Sequence, residues 1–362
     1  MRELFFNERG VGDLAASIKK AWPAFDTDTF VRSIVPRFPD LGLNERNYLI
    51  RDTLKAQLPP DYPRAVSILV KSLEPRQADE NFAVMSLCAF VAEYGRDHVA
   101  VSLAALREMT KRFSAEFAIR PFLDRDPAGV LAELETWALD PDPRVRRLAS
   151  EGTRPRLPWG MRLQKFVKDP RPVLKILEIL KEDAELFVRR SVANNLNDIA
   201  KDHGDLVVAT LRRWKKSPKP ETQWLVKHAL RTLLKQGHPE ALGLLGYAHG
   251  ASVILSGLKV SKKSVTVGET QSFTFTLTST SKTPQRLMID YAVYYRKANG
   301  QQKPKVFKLK SSTINHREPL TISKNHPFRP IGIRPFYPGK HDIEILVNGK
   351  SLGRTSFALR MT

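Results

Sequence analysis

Val145-Arg-Arg-Leu-Ala, Val188-Arg-Arg-Ser-Val and Val226-Lys-His-Ala-Leu stand 43 and 38 residues apart, and each opens an apolar run at three- and four-residue spacing. Helix-starting stretches, Asp140-Pro-Asp-Pro and Lys181-Glu-Asp-Ala-Glu, precede the first two. A period near 40 residues suits HEAT-type helical hairpins stacked side by side into a curved solenoid. Equivalent repeat positions share one surface of such a stack. Arg146, Arg147, Arg189, Arg190, Lys227 and His228 are therefore expected as a ladder of positive charge. A merely solvated charge run is the competing reading of each residue alone.

Working outward from the repeats, Leu41–Leu58, Pro63–Leu73, Phe82–Tyr94 and Val99–Phe113 carry the same helical spacing, separated by short Pro, Gly and Asp clusters. After Gly250 the pattern changes to period two. Gln271–Thr280 (QSFTFTLTST), Arg286–Lys297 (RLMIDYAVYYRK) and His341–Val347 (HDIEILV) alternate as half-buried strands do, with turn signals at Asn299-Gly300 and Asn348-Gly349. Six or seven strands in this stretch fit an immunoglobulin-like sandwich. The expected fold is multidomain: an all-α HEAT-like helical-repeat solenoid over 1–250, then an all-β immunoglobulin-like sandwich over 251–362.

The 362 residues are 42% hydrophobic and 27% charged, ordinary globular material, yet the formal net charge is +21. From Ala251 onward 19 Lys and Arg stand against 5 Asp and Glu, so +14 of that surplus lies in the sandwich. A polyanion is the expected partner, and Lys262, Lys263, Lys303, Lys305, Lys308, Lys310 and Arg329 are candidate phosphate contacts. No apolar run reaches membrane-spanning length, and no lipidation signal is evident, so a membrane partner is not expected. Residues 1–10 lack a signal-peptide core, which gives the cytoplasm as the expected compartment. Cys88 is the single cysteine, so an internal disulfide and a thiolate-rich metal site are excluded. A monomer without cofactor or metal is expected.

Nucleophile-elbow, P-loop, HExxH and dinucleotide-binding motifs are missing, which leaves carboxylates and tryptophans set among arginines. In Ser114–Asp126 (SAEFAIRPFLDRD), Glu116 and Arg120 are spaced to share one side of a helix, which Pro121 would disturb. In Val145–Gly160 (VRRLASEGTRPRLPWG), Glu151 ends an arginine-rich helix, and Arg154, Arg156 and Trp159 follow on a proline-stiffened loop. A carboxylate in a last helical turn opposes the helix dipole and calls for cationic company. The bland alternative makes both glutamates surface ion-pair partners. Trp22 and Trp137 read as core, Trp224 as packing between hairpins, and Trp214 as either lying along phosphates or an amphipathic surface position.

SAEFAIRPF, VRRLASEGTRPRLPW, VRRSVANNLNDIAKDH and VKHALRTLLKQGHPEALGLLG together resemble the DNA alkylation repair family of HEAT-like glycosylases, within it the AlkC branch that carries an immunoglobulin-like domain. The resemblance covers about residues 1–250, and the string Glu151 to Trp159 is its most specific part. It implies a monofunctional DNA glycosylase that removes cationic N-alkylated bases, 3-methyladenine and 3-methylcytosine, from double-stranded DNA without flipping the base. It implies Glu116, Glu151 and Trp159 as catalytic residues, with Arg147, Arg154 and Asn195 near the lesion or backbone; Arg120, Arg156 and Arg190 complete the expected DNA-binding set. The related AlkD branch has an aspartate between tryptophans, whereas Glu116 here has no adjacent tryptophan. The alternative is a non-catalytic HEAT scaffold that binds bent or damaged DNA.

Overall fold

The computed structural model describes residues 5–73, 82–330 and 335–361. Among these, sixteen α-helices precede eight strands. The helices are α1 (Glu8–Ala21), α2 (Thr27–Ile34), α3 (Leu43–Gln57), α4 (Tyr62–Lys71), α5 (Val84–Tyr94), α6 (Val99–Thr110), α7 (Arg120–Arg125) and α8 (Pro127–Trp137). They continue as α9 (Pro143–Gly152), α10 (Gln164–Lys168), α11 (Arg171–Leu180), α12 (Leu186–Ile199), α13 (Gly204–Trp214), α14 (Pro220–Ala229), α15 (Arg231–Lys235) and α16 (Pro239–Leu244). The chain divides into two compact units, 1–203 with 214–229, and 204–213 with 230–362.

Local chemistry explains where the helices of the first unit begin. Asp61, Asp126 and Asp142 each accept a backbone N–H of the first turn, from Arg64, Gly129 and Arg144 at 3.0, 3.0 and 2.8 Å. A proline in the first two helical positions follows each one, where its missing N–H leaves no helical bond unmade. Val145, Val188 and Val226, the repeat-equivalent valines, are all fully buried. Their helices α9, α12 and α14 pack in succession, which is the stacking that the sequence period predicts.

The expected charge ladder is split by this packing. Arg146 reaches into the next repeat and grips Asp183 with Nε at 2.6 Å and Nη2 at 3.0 Å, as Arg107 grips Asp140 one repeat earlier. Arg189 is buried and donates to the Asp183 and Ala184 carbonyls at 2.5 and 2.7 Å. Those two arginines staple repeats and loops together. Arg147 is partly exposed, and Arg190 and Lys227 are exposed. Trp214 is also corrected: it is buried, donating to Glu178 at 2.7 Å, so it cannot lie along phosphates. Trp137 is core, and Cys88 is a small buried residue of α5.

The second unit holds β1 (Val253–Val260), β2 (Ser264–Thr266), β3 (Thr270–Ser279), β4 (Gln285–Arg296), β5 (Gln302–Ile314), β6 (Pro319–Pro327), β7 (Gly339–Val347) and β8 (Lys350–Arg360). They form a three-stranded sheet, β1-β3-β6, and a five-stranded sheet, β2-β8-β7-β4-β5. Phe273, Phe275 and Leu277 of β3 share one core with Leu287, Ile289, Tyr291 and Val293 of β4 and with Ile343, Ile345 and Val347 of β7. The β7–β8 turn has Asn348 at φ 49° and Gly349 at φ 76°, the two positive values that a tight hairpin of matching twist requires. Asn348 also donates to Ala248 at 2.8 Å and accepts from the Met288 N–H at 2.8 Å, so the turn anchors the segment entering the sandwich.

Two buried groups give this unit opposed pH dependences. Burial pushes the Asp290 carboxyl up to about 6, Lys308 and Lys235 opposing, while burial pushes the His326 imidazole down to about 4 between the Tyr291 and Tyr295 hydroxyls. A raised acid favours folding as pH falls from about 6 to 4; a depressed base disfavours folding as pH falls from about 6.5 to 4. Each amounts to about 3 kcal/mol, so the two largely offset. Asp290→Asn removes the first alone. Its urea midpoint is expected to match or exceed wild type at pH 7 and to fall more steeply between pH 6.5 and 4.

Candidate active site

Three segments of the first unit converge: the turn 114–119 ahead of α7, the end of α9 with the loop 153–163, and α12. Ala115, Ala118 and Ile119 pin the turn in the core and leave Glu116 at its rim. The expected helix through Glu116 and Arg120 does not form. The helix starts at Arg120 with Pro121 in its first turn, where proline is accommodated rather than disruptive.

Glu151, in the last turn of α9, gathers the cationic company that its position demands. Arg154 Nη1 donates to its Oε1 at 2.8 Å, and the Ser191 hydroxyl of α12 donates to its Oε2 at 2.6 Å. Arg154 in turn donates through Nε to Asp198 Oδ2 at 2.8 Å, and Lys201 holds the other Asp198 oxygen at 2.8 Å. Burial alone would lower Arg154, but Glu151 and Asp198 outweigh it and hold the guanidinium above its ordinary value. Arg147, one turn before Glu151, lies between the two glutamates. Its Nη1 is 3.5 Å from Glu116 Oε2, its Nη2 is 3.7 Å from Glu151 Oε1, and Ser114 accepts from it at 2.9 Å. Two carboxylates from different repeats thus surround one guanidinium.

Three of the expected DNA contacts are internal instead. Arg120 is fully buried, donating to the Gly152 carbonyl at 2.8 Å and the Met161 carbonyl at 2.6 Å, so it ties the end of α9 to the far side of the loop. Burial lowers it to about 10, and it remains a cation at neutral pH. Arg154 lies beneath Glu151. Asn195 is fully buried and donates to the Ser150 carbonyl at 2.8 Å. None can reach a phosphate without the core opening, because all three side chains are buried. Arg156 pairs with Asp202 through two bonds of 2.8 and 2.7 Å at the surface.

Trp159 stands clear of the fold, 90% exposed, with φ 63°. A bulky residue in the left-handed region is costly, and the loop around it supplies the constraint. A Cβ at the neighbouring Gly160 would lie 3.1 Å from Leu157 and 3.3 Å from Phe117, so the loop sits tightly on the residue after Glu116. Trp159→Gly relieves the strain and loses little packing. Its thermal stability is expected to equal wild type or exceed it by up to about 1 kcal/mol. Excision by that variant is expected to slow about tenfold, checked by single-turnover kinetics.

Ser191 and Asp198 are the site residues that sequence reading missed. With Asn195 they occupy positions i, i+4 and i+7 of α12, a polar stripe on a face that is buried. Buried polar groups in helical register were the available signal.

Residues 78–233 match the family described as DNA alkylation repair enzyme, and residues 254–361 match the C-terminal Ig-like domain of YhaZ. The chain is similar to the alkylpurine DNA glycosylase AlkC of Pseudomonas fluorescens, solved bound to DNA containing an abasic site analog. That likeness has 39% identity, a TM-score of 0.92 and coverage of 99% of both chains. The chain belongs to the AlkC-like DNA alkylation repair family. The chain is also 37% identical over 349 residues to the protein YhaZ of Bacillus subtilis (strain 168), covering 95% of each. Among the described residues, no group of three or more His, Cys, Asp or Glu is placed to hold a metal ion, and no helix is long and apolar enough to cross a membrane.

Proposed function

We propose that this AlkC-like protein is a monofunctional DNA glycosylase that hydrolyses the N-glycosidic bond of cationic N-alkylated bases, 3-methyladenine and 3-methylcytosine, in duplex DNA without flipping the base. The observation that carries this reading is the pair of carboxylates, Glu116 and Glu151, held around one guanidinium, with Trp159 exposed on the loop that follows Glu151. A groove for phosphates alone would exclude carboxylates from its centre, because they repel the backbone. A site for a cation would gather them.

The chemistry requires little else. A base alkylated on a ring nitrogen already carries positive charge and leaves as a neutral molecule, so no strong general acid is needed. The barrier lies in the oxocarbenium-like sugar and in placing a water behind it. Preorganised carboxylates stabilise the sugar cation and orient that water. The Trp159 ring offers the sugar or base a cation–π face, a contact of roughly 0.5–2 kcal/mol. Its exposure suits approach to the duplex from outside. A monomer bound to double-stranded DNA in the cytoplasm is part of the same reading.

Incubation with methylated duplex DNA tests it. Free 3-methyladenine and 3-methylcytosine are expected, with abasic sites left in the DNA. Borohydride is expected to trap no enzyme–DNA adduct, since water is the nucleophile. Binding without base release would favour the scaffold alternative.

A further inference from the structure

The two glutamates are held in very different ways. Both oxygens of Glu151 are engaged, Oε1 by Arg154 at 2.8 Å and Oε2 by Ser191 at 2.6 Å, and the side chain is 8% exposed. Arg154 is itself locked on Asp198, and Asp198 on Lys201. Short, charge-assisted bonds at both oxygens leave this carboxylate one orientation. Glu116 sits on a turn rather than a helix and meets Arg147 through a single oxygen at 3.5 Å, the outer limit of a hydrogen bond. Its other oxygen is not engaged by any described donor, and the side chain is 13% exposed.

From this asymmetry we infer that the carboxylates divide the reaction: Glu151, clamped by Ser191 and Arg154, is the fixed negative charge beneath the sugar cation, and Glu116 is the base that orients and deprotonates the water. The inference rests on the glycosylase reading and assigns roles within it. A fixed charge stabilises a developing cation best when nothing must reorganise as the cation forms. A base must turn to meet its water and accept a proton, which a carboxylate with a free oxygen can do. In the step, the water oxygen bonds to C1′ while the bond from C1′ to the base nitrogen breaks. The bonding pair stays with the nitrogen and neutralises the cationic base, and the water proton passes to Glu116. Ser191 and Arg154 are positioning residues that act through Glu151.

Azide separates the two roles, because it attacks C1′ without giving up a proton. Single-turnover release of 3-methyladenine from methylated duplex DNA would be measured with and without sodium azide, alongside DNA affinity and thermal melting. Glu116→Ala is expected to be slow and to recover by about tenfold or more with azide, its abasic product then carrying azide at C1′. Glu151→Ala and Ser191→Ala are expected to be slow, to bind DNA normally and to gain nothing from azide. Ser191→Thr, which keeps the hydroxyl, should restore the rate, and Ser191→Ala should slow a Glu151→Gln protein no further. Recovery of Glu151→Ala by azide, failure of azide to recover a folded Glu116→Ala, or a wild-type rate in Ser191→Ala each overturns the assignment. Absence of base release by the wild-type protein overturns the glycosylase reading itself, a separate result.

Discussion

Glu151→Gln binds methylated DNA as tightly as wild type and releases its bases roughly 10²–10³ times more slowly, and Glu116→Gln does the same. This is the expected result if each side chain places negative charge at the sugar cation or its water. Glutamine keeps the shape of the carboxylate and most of its hydrogen bonds. At position 151 it still accepts from one of Ser191 and Arg154, so folding should survive the change. The Glu151→Gln protein leaves Arg154 paired with Asp198 alone, and a modest loss of thermal stability should accompany the slower rate. Rate and affinity are read separately, by single-turnover excision and by fluorescence anisotropy. Near wild-type excision by both variants would return the glutamates to ordinary ion-pair duty.

A second large effect is expected from the sandwich. We propose that Lys303, Lys305, Lys308 and Lys310, all exposed on β5, contact phosphates. Each contact steepens the fall of log affinity with log salt by roughly 0.9, so changing all four lysines to glutamine should flatten the slope by roughly 3–4. Between about 50 and 200 mM salt the variant should then lose roughly 10² less affinity than wild type, having started weaker. Excision should recover partly in saturating low salt, since the glutamate site is untouched. Substitution is the cleaner route than cutting at residue 250. Residues 230–250 belong to the same compact unit as the strands, with Arg286 donating to the Leu245 carbonyl at 3.1 Å and lying over the Tyr247 ring. A competing role is physical too: among the described residues β5 is an edge strand, paired with β4, and edge lysines deter pairing between molecules. An unchanged salt slope with new self-association would assign the lysines to that duty. Lys262 is a weaker candidate because Glu269 holds it at 2.9 Å.

The sequence alone determined the architecture and the identity of the glutamates and Trp159 as candidates. Repeat-equivalent valines, Asp-Pro helix starts and alternating strands are local signals, and local backbone preference is what they report. The change from helix to strand falls between Leu244 and Val253, where the sequence pattern changes. The same locality explains what sequence could not supply. An arginine's spacing tells which face of a helix it occupies, but not which partner lies across the next repeat. Arg146 and Arg147 are neighbours in the chain, yet one staples Asp183 and the other lies between the carboxylates. The family resemblance implies Arg154 and Asn195 near the lesion or backbone, with Arg120 in the same DNA-binding set, and only packing shows all three to be buried supports. Ser191 lies 40 residues from Glu151 in the chain and 2.6 Å from it in space. Stacking one repeat on the next creates that contact. Tertiary structure therefore decided which groups hold Glu151 still, and which leave Glu116 free to turn.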